Sequence, residues 1–413
     1  MTINFAFFTI YKERKYHLKA IDYIYKHRYN IAVATITILA VILRLIHLIQ
    51  NNSFYGDEFS LFMNIKLRNL KELMEGLDNI QASPPAFLAI SKLVYEIYKN
   101  HSSYILDLNL RIFPFLCGIT SVGLFYIFIK QTIDNKFKRM IAFTIFALNT
   151  QAIAYSAIFK QYSTELATAL ILYIISYNII FLNRYKWYYS VAICSAIWFS
   201  YSSIFILIPL CTYIIFKQRN LIMSIIIPLL MSFTLYYEIT IKYIMTSSYN
   251  DMVNIWNQLE FGYINIFHPA RTFIRIGEFF IFGASTPYKI ATIICGILII
   301  YSITVFIFSK NSIQKKLFLL TPIILVFTSS VFQKYPIVSR LVLFLYPLIS
   351  VILADYTYKF RNIYISFICI CSIVSALYYT PKLHLPDNKS RNIIEYNKGY
   401  LNLTTKEDCV MKF

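Results

Sequence analysis

The 413-residue chain is 58% hydrophobic and only 14% charged, where soluble proteins carry about a quarter charged residues, and its mean hydropathy is +0.57. That excludes an ordinary soluble domain and indicates a polytopic membrane protein, whose bundle of spanning helices uses such a length as one domain. The formal net charge of +19 does not point to nucleic acid, because Lys and Arg fall in short clusters between apolar runs rather than on one basic stripe.

In chain order, Lys12, Arg14, Lys15, Lys19, Lys26 and Arg28 come ahead of the first apolar run. This is too long a basic start for a cleaved signal, so the first span is expected to be retained. Windows able, or nearly able, to cross about 30 Å of hydrocarbon lie near 30 to 49, 112 to 130, 140 to 155, 163 to 182, 221 to 241, 290 to 309, 317 to 332, 341 to 358 and 362 to 379. The block Trp187 to Phe216 has Ser200, Tyr201, Ser202 and Ser203 at its middle, which suits two short spans meeting in a turn better than one oblique helix. The sequence thus predicts an all-α bundle of about eleven transmembrane helices. Residues 1–380 form the membrane domain and 381–413 a short polar tail with no assigned role.

With the basic N-terminus placed in the cytoplasm, alternate loops should be rich in Lys and Arg. They are: Gln131 to Arg139, Asn183 to Lys186, Lys217 to Arg219, Lys310 to Lys316 and Lys359 to Arg361 all carry them. The outer side then receives residues 51–111, the turn before Ser163, Ser200 to Ser203, Lys242 to Lys289, Gln333 to Arg340 and the tail. Six of the seven cysteines lie in apolar segments and only Cys409 in a polar one. No disulfide framework or metal-type spacing follows from them.

Within the first outer loop, Phe59, Phe62, Met63, Leu67, Leu70 and Leu73 recur at a helical period, which predicts a helix over Glu58 to Leu73 lying on the membrane. Pro84 and Pro85 then open a second short helix, Ala86 to Tyr98, too short to span comfortably. A similar element is expected at Arg271 to Phe282.

Gly56, Asp57 and Glu58 place two carboxylates close to one membrane surface. Asp57 as an N-cap and Glu58 as a first-turn acid would need no function. A functional reading makes Asp57 the general base for an acceptor hydroxyl, with Glu58 orienting it or binding a cation. Gln81 to Pro85 is a stiff segment, read either as a plain helix start or as a substrate-facing wall opposite Asp57. Lys160 and Tyr162 suit an interfacial belt, whereas Glu165, just inside an apolar stretch, better suits a wet cavity. Lys334, Tyr335 and Arg340 flank a short outer turn; each alone reads as a belt residue, but with Lys160 they can hold a phosphate, Arg340 as a fork and the lysines as point charges. Arg271 and Arg275 have lipid headgroups as their simplest partner. His268 lacks a second ligand at a telling spacing.

Five short motifs in order resemble GT-C glycosyltransferases, the polytopic class that includes protein O-mannosyltransferases and lipid A aminoarabinose transferases. They are YGDE with Asp57 and Glu58, SPPAF from Ser83 to Phe87, RIFP from Arg111 to Pro114, FKQYSTE from Phe159 to Glu165, and the stretch from Tyr335 to Leu348. The resemblance implies inverting transfer of a sugar from a polyprenyl-phosphate donor to a lipid, glycan or protein acceptor at the outer face of the cytoplasmic membrane. It also implies Asp57 as the first-loop catalytic acid and Glu165 at the second acidic position. The implied substrate cavity includes Ser83, Pro84, Tyr162 and Tyr335. Relatives often carry histidine where Ser83 stands, and that histidine or its neighbour can bind a metal, so a divalent cation is left open.

Two other readings compete. A lipid-linked glycan flippase or exporter would place charges midway along broken spans, and here Arg44 inside the first span is the exception to charges gathered at one surface. A polymerase of surface polysaccharide is the nearer rival.

Overall fold

The computed structural model describes residues 27–50, 54, 56–79, 81–243, 262–264, 276–277 and 289–356. The basic residues up to Lys26, the segment with His268, Arg271 and Arg275, the window from 362 to 379 and the tail from Pro381 lie outside them. Among the described residues the regular structure is helical. In chain order the helices are α1 (His27–Gln50), α2 (Asp57–Leu67), α3 (Leu70–Met74), α4 (Pro85–Tyr98), α5 (Ser103–Thr132), α6 (Lys136–Ala147) and α7 (Thr150–Ala154). They continue as α8 (Tyr162–Leu182), α9 (Trp187–Phe199), α10 (Ile204–Lys217), α11 (Arg219–Ile241), α12 (Lys289–Ile307), α13 (Ile313–Val331) and α14 (Tyr346–Tyr356).

Five of these, α1, α5, α8, α11 and α13, are long and apolar enough to cross a bilayer. Four shorter apolar helices lie at 187–199, 201–217, 295–307 and 343–354. The chain is a multi-pass membrane protein, all-helical in its regular structure among the described residues. The expected break in the block from Trp187 to Phe216 is present as a 3₁₀ turn at Tyr201–Ser203, with Ser200 capping it through its side chain. Both ends of the block return to one place. Gln218 donates to Ile179 O at 2.9 Å and to Asn183 Oδ1 at 2.8 Å, beside the residues that lead into α9, so α9 and α10 form an antiparallel hairpin.

The window from 140 to 155 differs from expectation, because α6 stops at Ala147 and α7 restarts at Thr150 with Asn149 Oδ1 accepting from Ala152 N–H at 2.9 Å. An Asn that can cap offers the backbone an alternative to continuing the helix. Arg44 explains itself at this break. Its fully buried guanidinium donates to Ala147 O and to Ala40 O, both at 3.0 Å, so a cation sits at the carbonyl end of α6.

The first outer loop departs further. α2 ends at Leu67, and Asn69 starts α3 with a capping box to Glu72. Arg68 fixes the kink by a two-pronged pair with Asp78 at 3.1 and 2.5 Å. Nor does α2 lie on the membrane, since every residue from Glu58 to Ile65 is buried. Leu61 and Ile65 put apolar residues on its second face too, and polar residues beside them find partners inside, Asn64 with the Asp78 amide and Glu58 with Arg111, so the helix is enclosed. Around it a satellite core gathers Phe54, Phe62, Phe87, Leu106, Leu110 and Phe159. Leu106 and Leu110 belong to α5, whose 30 residues begin nine before Ile112, where the sequence pattern places the span. Its first turns thus belong to the loop, and Arg111 lies inside the helix rather than opening it.

Contacts also fix which helix ends lie together. Gln314 at the start of α13 donates to Ile180 O at 2.9 Å, near the Gln218 contacts. Cys117 of α5 meets Thr164 of α8 and, further along both helices, Phe128 meets Tyr173 with ring centres 5.8 Å apart, so these two helices run the same way. The basic stretches at 136–139, 184–186, 217–219 and 310–316 therefore share one end of the bundle, as the charge alternation requires. Asp57, Glu58, Lys160, Glu165 and Arg340 share the other.

Candidate active site

Gly56 sets the geometry of the acidic pair. It occupies the position before α2 at φ 47°, a left-handed conformation that glycine adopts without a Cβ clash. Asp57 is therefore the first helical residue rather than the cap, and its side chain makes no local capping bond. The two neighbouring carboxylates then diverge. Glu58 turns inward, where Arg111 Nε and Nη2 donate to its two oxygens at 3.1 and 3.3 Å, and Phe159 N–H adds a bond of 2.6 Å. Arg111 is wholly buried and its guanidinium also lies 4.9 Å from the Phe54 ring. Glu58 thus ties α2 to α5 and to the turn before α8.

Asp57 turns outward to a residue 283 positions away. Arg340 Nη1 donates to its Oδ2 at 2.8 Å, with the two side chains 30% and 47% exposed for Arg340 and Asp57 respectively. The guanidinium stands 6.0 Å from the centre of the Tyr162 ring, and Tyr155 packs edge-on against Tyr162 at 5.1 Å. Lys160 is buried at 4% exposure within electrostatic reach of Asp57, Arg340 and Glu58. Burial pushes its amine down to about 8, with Arg340 adding to the fall and Asp57 opposing it. Its Nζ donates to Gln81 Oε1.

The segment from Gln81 to Pro84 is stitched to the turn before α8. Ser83 Oγ donates to Gln161 Oε1 at 3.3 Å, Gln161 Nε2 donates to Ala82 O at 3.1 Å, and Tyr201 OH donates to Ser83 O at 2.8 Å. Ser83 and Pro84 are buried in this seam. Glu165, one turn along α8 from Tyr162, accepts from Ser202 Oγ at 3.4 Å and from the backbone of Tyr201. Tyr335 joins the same group, packing on Phe205 at 4.9 Å and donating to Leu341 O at 2.7 Å. Burial, with Glu165 and Tyr162 nearby, pushes its phenol well up, so it remains a neutral donor.

The structure therefore brings Asp57, Lys160, Tyr162 and Arg340 into one cluster, with Glu165 and Tyr335 behind it and Ser83 and Pro84 alongside. Lys334 is exposed on the turn that carries Arg340. Arg111, Tyr201 and Ser202 are parts to which site reasoning gave no role. Their signal was present as polar residues inside apolar blocks, each of which needs a partner when buried. The donor set does not fit a bound metal. Asp57 faces Arg340, Glu58 is enclosed by Arg111 and the Phe159 amide, and among the described residues no three His, Cys, Asp or Glu side chains converge.

Chemically, two cations and one partly exposed carboxylate beside aromatic rings suit an anionic head with an organic group attached. Arg340 presents a planar fork and Lys160 a point charge, the two usual ways of holding a phosphate.

No protein-family model matches the sequence, and no curated protein is similar to it in sequence. Among solved structures, the chain is similar to ArnT from Cupriavidus metallidurans bound to undecaprenyl phosphate, with 12% sequence identity and a TM-score of 0.46. The match covers 79% of this chain and 60% of that one, so the chain spans less than two thirds of the ArnT length.

Proposed function

We propose that the chain is an inverting glycosyltransferase of the cytoplasmic membrane, taking a sugar from a polyprenyl-phosphate donor and passing it to an acceptor at the outer face. The observation that carries this reading is the meeting of Asp57 with Arg340 at 2.8 Å, with Lys160 and Tyr162 around them, at the end of the bundle opposite the basic loops. A basic end facing the cytoplasm turns this cluster outward.

In the proposed reaction the acceptor oxygen attacks the anomeric carbon while its proton passes to Asp57. The bond from that carbon to the phosphate oxygen breaks, and the phosphate leaves with the electron pair. Arg340 and Lys160 stabilise the charge that develops there, so no general acid is required. Lys334 supplies a further positive charge at the rim. Glu58 acts through Arg111 and Phe159 by holding the start of α2, which makes it a positioning residue. Glu165 orients the acceptor or sugar from beneath Tyr162, and Ser83, Pro84, Tyr162 and Tyr335 form the surrounding wall.

The test is release of free undecaprenyl phosphate, the lipid bound in the ArnT structure, from a set of undecaprenyl-phosphate hexoses and pentoses by purified protein in vesicles. Asp57→Asn is expected to lower release by about 10²-fold or more. Undiminished release at normal protein levels would remove Asp57 from the mechanism.

A further inference from the structure

We infer that Arg340 is exchanged between Asp57 and the donor phosphate, so that binding of the donor is what frees the base. This rests on the donor reading above and deepens it. Two neighbouring acids in the same turn each hold an arginine, but the two pairs are built differently. Glu58 and Arg111 have side chains 7% and 0% exposed, and that carboxylate has two guanidinium bonds and a backbone amide. It is locked. Asp57 and Arg340 share one bond, Nη1 to Oδ2, between side chains 47% and 30% exposed.

A lone bond between partly exposed partners is the weak kind of ion pair. The donor phosphate is a diester with two non-bridging oxygens, which a guanidinium fork matches in two-pronged fashion where Asp57 takes a single bond. The incoming phosphate therefore takes Arg340 from Asp57. Lys160, buried and held by Gln81, stays where it is and receives the same phosphate. Asp57 Oδ2 is then released from the guanidinium and can turn to the acceptor hydroxyl. Proton acceptance is thereby coupled to donor occupancy, and the donor binds before the acceptor is activated.

The experiment measures equilibrium binding of undecaprenyl phosphate, without sugar, to the full chain in nanodiscs for wild type, Asp57→Asn, Arg340→Gln and the double variant. Arg340→Gln is expected to weaken binding about tenfold, as for loss of a charge-assisted bond. Asp57→Asn is expected to tighten it by up to about fivefold, the upper range for a partly exposed pair. That gain should vanish when Arg340 is already Gln. A gain of equal size in the Arg340→Gln background would mean that Asp57 merely repels the phosphate, and the exchange would be overturned while the donor reading stood. No gain from Asp57→Asn would overturn it equally. Equal binding by wild type and Arg340→Gln would instead defeat the placement of Arg340 on the donor. Should Arg340→Gln melt early, Arg340→Lys keeps the charge without the fork and is expected to give a reduced gain; a full gain there also overturns the exchange.

Discussion

Arg111→Met leaves Glu58 buried beside an apolar side chain, and this is the most informative single perturbation of the loop. The substitution removes two charge-assisted bonds, at 3.1 and 3.3 Å, from a carboxylate whose side chain is only 7% exposed. Removing one partner of a buried pair costs about 3–5 kcal/mol, because the other charge is left uncompensated. Phe159 N–H still donates to Glu58 at 2.6 Å, which places the expected loss near the lower end, about 3 kcal/mol. Glu58→Gln takes the carboxylate from the wholly buried guanidinium instead and should cost somewhat less, because Asp107 stays within electrostatic reach of Arg111. The double variant Glu58→Gln with Arg111→Met removes both charges of the pair, with the buried Asp107 still nearby, and should lose much less than the two single costs added together. Unfolding in detergent titrated with denaturant, together with protease cleavage of the loop from 56 to 111, reads both effects. Single variants each costing under about 1 kcal/mol, with the double variant simply additive, would refute the claim that this pair anchors the loop.

Lys160 gives a pH signature with two opposite signs. Its folded amine sits near 8 against an ordinary 10.5, so between these values the unfolded chain binds more protons and stability rises with pH. Donor binding should fall over the same rise through about pH 8, because the amine that meets the phosphate loses its charge. Apparent KM for the donor measured from pH 6 to 9 should show this, and Lys160→Met should flatten it. At Gly118 on α5 an added Cβ would overlap the Cβ of Ser156, so Gly118→Ala should destabilise by about 1–3 kcal/mol and lower transfer. Pairing it with Ser156→Gly should restore most of both, as a melt and an activity assay would show.

Much of the fold could be read from pattern alone, because apolar windows and basic loops are local quantities. Ten of the eleven expected windows hold helix, with the window from 362 to 379 outside the described residues. The hairpin turn at Ser200 was legible since four polar or small residues interrupt an apolar block. The misreadings have physical causes. Scoring only one face of α2 overlooked Leu61 and Ile65 opposite, which bury the helix instead of floating it. In the window from 140 to 155, hydropathy hid a break that Asn149 signals by its capping chemistry. Arg111 read as the start of a span because a charge normally sits at the membrane edge, whereas here it answers Glu58 from inside α5. The candidate residues were found one by one, as acids and bases near one surface. Their pairing was not legible, since nothing near Asp57 in sequence specifies a partner 283 positions on.

The separation of Asp57 and Arg340 along the polypeptide also bears on how the protein is made. The acidic turn emerges during synthesis 283 residues ahead of its arginine. Until α13 and the turn behind it have been inserted and docked, the nascent protein has Lys160 but no guanidinium opposite Asp57 to fork an anionic lipid head. A product stalled before Arg340 would therefore hold carrier lipids already present in the same bilayer only weakly, and on the proposed reading the ability to consume them would switch on once that turn has docked.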